Sequence, residues 1–378
     1  MLPSKQILTH FGILLFPFVL PLPLPLNIKS IALILFAATL IFNVSKDGFL
    51  INKLVTDKIV VLFFWLFFLD PILSYVRGDG FYISDLRISF MVLPILCLLN
   101  KDWVEFYRSK ILKTYTIGVF FYIFFTIGYV VYFYFISSKE FAVDYFLKYV
   151  TYHFLPYAIH HTYLGIYISF AASIIIFDKE LKNGVKVFLC LILFLSIFII
   201  ASKLSILLFI LVISFCLSVN FKYSFSKIVL FIIFIVLIST LIIGFFYLQT
   251  DLFRTLDISI NNRERLFGCS FEGISDNLLI GIGSANIKGF IEQCDPTLVG
   301  MDTHNIFLQE FLANGIFGFT VLISLLFTFL RGFIEKKVIL GIVLILMLST
   351  FGLTENLLNL QHGVTFFIFF LLLFHYQK

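Results

Sequence analysis

Long apolar runs separated by short polar intervals cover most of this chain. An α-helix needs about 20 predominantly apolar residues to cross the hydrocarbon core of a bilayer. On that scale the pattern predicts about twelve membrane spans, over residues 7–26, 29–43, 58–76, 87–99, 112–136, 160–177, 185–200, 203–219, 227–248, 305–329, 338–353 and 360–376. The expected fold class is all-α, a polytopic integral membrane protein forming a single domain over residues 1–378. No period of roughly 20 to 50 residues recurs, which argues against a repeat array.

Three of these stretches are irregular. The fourth span is short, the first carries Pro17, Pro21, Pro23 and Pro25, and the seventh and eighth form one apolar tract interrupted at Ser202-Lys203. Membranes tolerate such breaks where neighbouring helices re-satisfy the freed backbone groups. The first run has no small-residue cleavage site after it and leads into a second, so it is expected to stay in the membrane and not to act as a removable signal peptide.

One long polar interval, residues 249–303, separates the ninth and tenth spans. Lys and Arg accumulate in cytoplasmic loops, and long loops count less in that rule. With the N-terminus inside, 17 of the 27 Lys and Arg fall on the cytoplasmic side, and four of the other ten lie in the 249–303 loop. Both termini are therefore expected in the cytoplasm and the large loop on the outer side.

Composition agrees: the chain is 61% hydrophobic and only 13% charged, whereas soluble domains are roughly 45–50% apolar. The net charge of +5 reports this topology and implies no nucleic-acid partner. Membrane lipids are the surroundings expected for most of the surface. Cys97, Cys190 and Cys216 fall in apolar spans, where a buried thiol is the ordinary role. Cys269 and Cys294 lie in the polar loop, and either form a disulfide in an oxidising compartment or stand as two unpaired thiols.

Threading the topology onto the sequence places most unusual polar residues on the outer face. His153, His160, His161, His304 and His362 map there, with Arg87, Lys203, Arg263, Arg265 and Glu355. A charge at a helix centre costs roughly 2.5–3.5 kcal/mol on insertion scales, so such groups line a cavity or pair with one another. Each residue also has an ordinary reading. A single interfacial His, Lys or Arg is commonly a solvated flank. Arg263 and Arg265 also fit the exposed face of an amphipathic helix over 262–275, whose other face is Leu266, Phe267, Phe271 and Ile274. Gly281-Ile282-Gly283 follows no strand and so makes no dinucleotide site.

Neither a metal nor a cofactor is expected. No His-x-x-x-His or Cys-x-x-Cys pair occurs, and adjacent helical residues such as His160 and His161 point about 100 degrees apart. No Ser-His-Asp arrangement is legible either. A cationic, His-containing site with one carboxylate remains, and it suits an anionic lipid-linked substrate. Arg and Lys hold pyrophosphate, helix N-termini add partial positive charge, and a His or Glu accepts a proton from an attacking hydroxyl.

The run from Asn262-Arg263 through Gly281-Ile282-Gly283 and His304-Asn305-Ile306-Phe307-Leu308 to Asn314-Gly315-Ile316-Phe317-Gly318 resembles the O-antigen ligase and Wzy O-antigen polymerase superfamily. Ile159-His160-His161-Thr162-Tyr163-Leu164, Ala201-Ser202-Lys203, Leu353-Thr354-Glu355-Asn356-Leu357-Leu358 and Gln361-His362-Gly363 are similar to a Bacteroidetes-type form of it. The resemblance covers roughly residues 60–375. The chain departs from the pattern at Phe267, where Trp is common, at His161, where Pro is usual, and at Lys203, where many members have Arg. Lysine keeps the charge but loses bidentate phosphate geometry.

This resemblance implies an inverting, metal-independent glycosyltransferase of the bacterial inner membrane. It would take a glycan from undecaprenyl diphosphate at the periplasmic face and pass it to an acceptor hydroxyl. That acceptor is the lipid A core in a ligase, the favoured form, or another lipid-linked repeat unit in a polymerase. The same resemblance makes His304 the essential histidine, with Arg263 and Lys203 on the pyrophosphate. His160, Glu355, His362, Arg265 and Arg87 are further candidate substrate-binding residues. A transporter or lipid flippase is the rival of another class, but it would place its polar residues near the membrane midplane.

Overall fold

The computed structural model describes residues 3–43, 51–78, 89–137, 159–200, 203–220, 254–359 and 361–377. Among these, every regular element is helical: α1 (Pro3–Val19), α2 (Leu26–Asn43), α3 (Ile51–Thr56), α4 (Lys58–Arg77), α5 (Ser89–Leu99), α6 (Lys101–Ser137), α7 (His161–Phe177), α8 (Asn183–Ile200), α9 (Lys203–Asn220), α10 (Arg254–Asp276), α11 (Ile287–Cys294), α12 (Ile306–Glu335), α13 (Ile339–Gly352) and α14 (Gln361–His375). Eleven of the twelve expected spans coincide with helices, and the ninth, 227–248, lies outside the described residues. Among the described residues, three helices, Lys58–Arg77, Lys101–Gly128 and Ile306–Glu335, are long and apolar enough to cross a membrane. Eight shorter apolar helices accompany them. The helical content fits a membrane protein.

The helices gather into two compact units. The first holds α1, α2 and α6 to α9. Helix α1 continues through Pro17 and ends at Val19, leaving Pro21, Pro23 and Pro25 in the turn, because proline lacks a backbone donor and breaks helical pairing. The buried Lys29 amino group donates to the Leu20 carbonyl of this turn at 3.0 Å. Helix α7 carries Gly165, Ser169 and Ser173 four residues apart, and the two hydroxyls donate back to Gly165 and Ser169 carbonyls at 2.8 and 2.9 Å. A Cβ on Gly165 would lie 2.0 Å from the Ser205 hydroxyl of α9. Small residues at this spacing let membrane helices approach closely. Since Gly165 and Ser205 each lie near the start of their helices, α7 and α9 run parallel with their N-termini together.

The second unit holds α3 to α5 and α10 to α14. At one end, Asp57 caps α4 by accepting from the Ile59 and Val60 amides at 3.1 and 3.2 Å. At that end, too, the Lys336 amino group donates to the His375 and Gln377 carbonyls at 2.8 and 2.9 Å. The Phe63 ring lies 5.7 Å from Phe90 and 6.1 Å from Phe329, tying α4 to α5 and α12. The span expected as continuous over 305–329 is broken at Gly315, where φ is 61° and ψ −156°. A Cβ on Gly318 would sit 2.9 Å from the Glu310 carbonyl oxygen, although a straight helix separates such residues by about 12 Å. The helix therefore bends sharply, with 306–314 turned from the line of 316–335.

The polar interval is itself folded. Leu266 and Ile274 of α10, Ile287 and Ile291 of α11, and Leu298 pack on Leu312 and Ala313 of α12. Cys269 and Cys294 form a disulfide that joins α10 to α11. The amphipathic helix is longer than the expected 262–275, and its buried face is Leu266, Cys269, Ser270 and Ile274. Phe271, expected on that face, is 61% exposed. Leu266 to Phe271 is a step of five residues, which puts the two on opposite sides of a 3.6-residue turn.

Candidate functional site

His304 stands just before α12 and is held in the left-handed region, with φ 47°, a conformation uncommon for residues other than glycine. The surrounding polar residues enforce it. The His304 amide donates to Asp302 Oδ1 at 2.9 Å. The buried Thr303 hydroxyl meets the Asn305 carbonyl at 2.9 Å and Gln309 Oε1 at 3.0 Å. Asn305 caps α12, its Oδ1 accepting from Phe307 and Leu308 amides at 2.8 and 3.0 Å. Its Nδ2 donates to the Leu353 carbonyl at 3.1 Å, which fixes the 353–356 turn beside the histidine.

That turn supplies Glu355. One Glu355 oxygen lies 3.8 Å from His304 Nδ1 and the other 3.5 Å from the Arg263 guanidinium. Asp302 Oδ1 approaches the same imidazole nitrogen at 3.6 Å. Asn356 donates to the other Asp302 oxygen at 3.3 Å. The Glu355 contact raises the His304 pKa above the ordinary histidine value. Burial opposes it, the Asp302 charge adds to it and the Arg263 charge subtracts. The His304 and Arg263 side chains remain 41% and 34% exposed, enough to meet a ligand, while Glu355 at 14% is the more enclosed member. This trio can hold an anion on Arg263 and take a proton at His304.

The glycine pair of the loop does different work. The Ile282 and Gly283 amides donate to the Leu312 and Ala313 carbonyls at 2.8 and 2.9 Å, and the Ile316 amide donates to Leu278 at 2.9 Å. Two backbones thus cross at the Gly315 break. A Cβ on Gly315 would lie 2.1 Å from the Leu279 oxygen, and one on Gly281 2.5 Å from the Ala313 oxygen. From α4, Arg77 donates to the Ile280 carbonyl at 2.6 Å and lies 3.6 Å from Asp70. Asp70 in turn accepts from the Ser284 hydroxyl at 2.5 Å. The crossing positions the loop that carries Arg263.

Of the residues expected from sequence, the structure brings together His304, Arg263 and Glu355. Arg265, two residues along from Arg263, is engaged with Asp295 and Thr297. Hydrogen bonds from Thr297, and then the Arg265 guanidinium, hold the Asp295 carboxyl below its usual range. Arg265 therefore braces the 295–297 turn. His362 lies in the first turn of α14. His160 occupies the N-cap position of α7 in the first unit without a side-chain capping bond, and the backbone of Lys203 opens α9 at the same end of that unit. Arg87 lies outside the described residues. Asp302, Asn356, Arg77 and Asp70 were not among the candidate site residues expected from sequence; the Asp302-x-His304 spacing of a side-chain-to-backbone turn was the available signal for the first. Among the described residues, no group of three or more His, Cys, Asp or Glu side chains is arranged to hold a metal ion.

No curated protein sequence matches the chain. Residues 188–323 match the family model described as O-antigen ligase, which supports placing the chain in the O-antigen ligase/Wzy superfamily. The matched stretch contains Lys203, Arg263, the glycine pair and His304.

Proposed function

We infer that this protein belongs to the O-antigen ligase/Wzy superfamily, whose model matches residues 188–323, and that it is a glycosyltransferase that moves a glycan from undecaprenyl diphosphate to an acceptor hydroxyl on the lipid A core. The reaction would take place at the periplasmic face of the bacterial inner membrane. The observation that carries the reading is the convergence of His304, Glu355 and Arg263 at 3.5 to 3.8 Å. In the step inferred, the acceptor oxygen bonds to the anomeric carbon as the bond to the diphosphate oxygen breaks, inverting the centre. The acceptor proton passes to His304, whose basicity Glu355 raises. The charge developing on the leaving diphosphate is met by Arg263, where a fixed guanidinium stabilises a transition state more than a ground state.

Glu355 lies between the two, 3.5 Å from Arg263 and 3.8 Å from His304. A diphosphate entering the site competes with it for Arg263 and leaves the carboxylate facing His304. The reaction needs no nucleotide-sugar site, because the activated bond already resides on the lipid. Deleting the gene and examining the lipopolysaccharide tests the reading. Long glycan accumulating unattached supports the ligase; a single repeat unit on the core would instead assign polymerisation of lipid-linked units.

A further inference from the structure

The exposed apolar surface of the second unit continues past the end of its longest straight helix segment. Along α12, Ile316, Ile323, Phe327 and Ile334 are 36%, 40%, 63% and 57% exposed. At about 100 degrees per residue these four positions fall within about 20 degrees of one line along the helix. Next to the upper end of that stripe, the loop presents Leu278 and Leu279, 51% and 64% exposed, beside Phe317 at 52%. The Ile316 amide to Leu278 carbonyl bond, 2.9 Å, locks the two surfaces together. A contiguous exposed apolar patch of this kind marks a contact surface.

Two helices set its depth. From Ile316 to Glu335 and from Lys58 to Arg77 the chain runs 20 residues each, about 30 Å, the thickness of the hydrocarbon core. Both segments end at the same level, because Arg77 donates to the Ile280 and Ala313 carbonyls beside Gly315. The loop tip therefore lies at the hydrocarbon boundary.

Several of its backbone groups are paired within the protein. Irregular chain at membrane depth persists only where its peptide groups are satisfied by protein. The Gly281 amide bonds to Asn277, those of Ile282 and Gly283 bond to α12, and the Leu278 carbonyl accepts from Ile316. Arg77 takes the Ile280 carbonyl, and the Asn286 side chain that of Ile282 at 2.7 Å.

We propose that Leu278 and Leu279, with Ile316 and Phe317, sit among the acyl chains of the leaflet at that end, so that the polar loop is a re-entrant element anchored in lipid. The placement is independent of glycan transfer and stands or falls separately from it. The test uses the full chain with Trp65→Phe and Trp103→Phe, reconstituted in phosphatidylcholine vesicles with or without bromine on mid-chain carbons. Leu279→Trp should lose most of its emission in brominated lipid and resist aqueous iodide, while Lys288→Trp, on an exposed polar residue of the loop, should do the reverse. Leu279→Trp quenched by iodide like Lys288→Trp would overturn the proposal. So would shielding from both quenchers, which would mean that protein covers the patch. Phe317→Trp carries the same outcomes if Leu279→Trp does not fold.

Discussion

The Glu355 carboxylate lies 3.8 Å from the His304 imidazole, and its other oxygen reaches Arg263 at 3.5 Å. One acidic group thus sets the protonation of the histidine and the availability of the arginine. Glu355→Gln should lower the His304 pKa, because the contact that raises it most is weakened. A base works only in its neutral form, so the wild-type rate should fall away on the acid side at a pH above that of an ordinary histidine. In Glu355→Gln that limb should move to lower pH. The stability linkage has a definite sign. A raised His304 pKa contributes stability fully present below the unfolded value of about 6.5 and lost as pH rises through the folded value. A pH–rate profile unchanged by the substitution would show that Glu355 does not tune the base.

The break in α12 depends on Gly315. Its φ of 61° and ψ of −156° form a combination essentially restricted to glycine, and an added Cβ would strike the Leu279 carbonyl. Gly315→Ala should cost roughly 1–3 kcal/mol from backbone strain and a further 1–3 kcal/mol from the clash. Gly268→Ala, in a helix with open space around it, should be neutral or stabilising by up to about 1 kcal/mol. Thermal unfolding in detergent measures both, and equal melting temperatures for the two variants would contradict the crossing described here.

The Cys269–Cys294 bond closes a 25-residue separation and ties α11 to the helix that bears Arg263. Replacing both cysteines by serine should cost about 2–4 kcal/mol through the freed unfolded chain. It should also reduce transfer by loosening the arginine's support. Reductant should reproduce the loss in the wild type and leave the double variant unaffected.

The inferred step sends the acceptor proton to His304 and the leaving charge to Arg263, leaving no task for a divalent ion. Transfer by the purified protein should be unchanged by a strong chelator. A strict requirement for added metal would count against this assignment of roles.

Helix positions were legible because lipid imposes a length and a polarity that any local window reveals. His304 and Glu355 were legible for a related reason, since a charged group amid Leu353, Leu357 and Leu358 or flanking a span is conspicuous, whereas Arg263, inside the polar loop, stood out through the family resemblance. The Gly315 break was not, because a glycine inside an apolar run reads like any other. Its meaning depends on a partner segment at 278–283 that no local pattern identifies. The Arg77 contact with Ile280 escaped for the same reason, as it joins residues 203 positions apart. Arg265 shows the converse limit. Its charge and position matched those of Arg263, but Asp295 and Thr297 claim it.

A single-turnover assay tests whether His304 and Arg263 carry the transfer. Purified protein, lipid-diphosphate-linked glycan and lipid A core acceptor would be combined in vesicles, with folding of each variant checked by its melting temperature. His304→Ala should slow transfer by about 10²–10⁴-fold, as expected for loss of a general base. Arg263→Ala should slow it by roughly 10²–10³-fold, as expected for loss of a group stabilising developing charge. A folded variant of either kind transferring glycan at the wild-type rate would overturn these roles for His304 and Arg263.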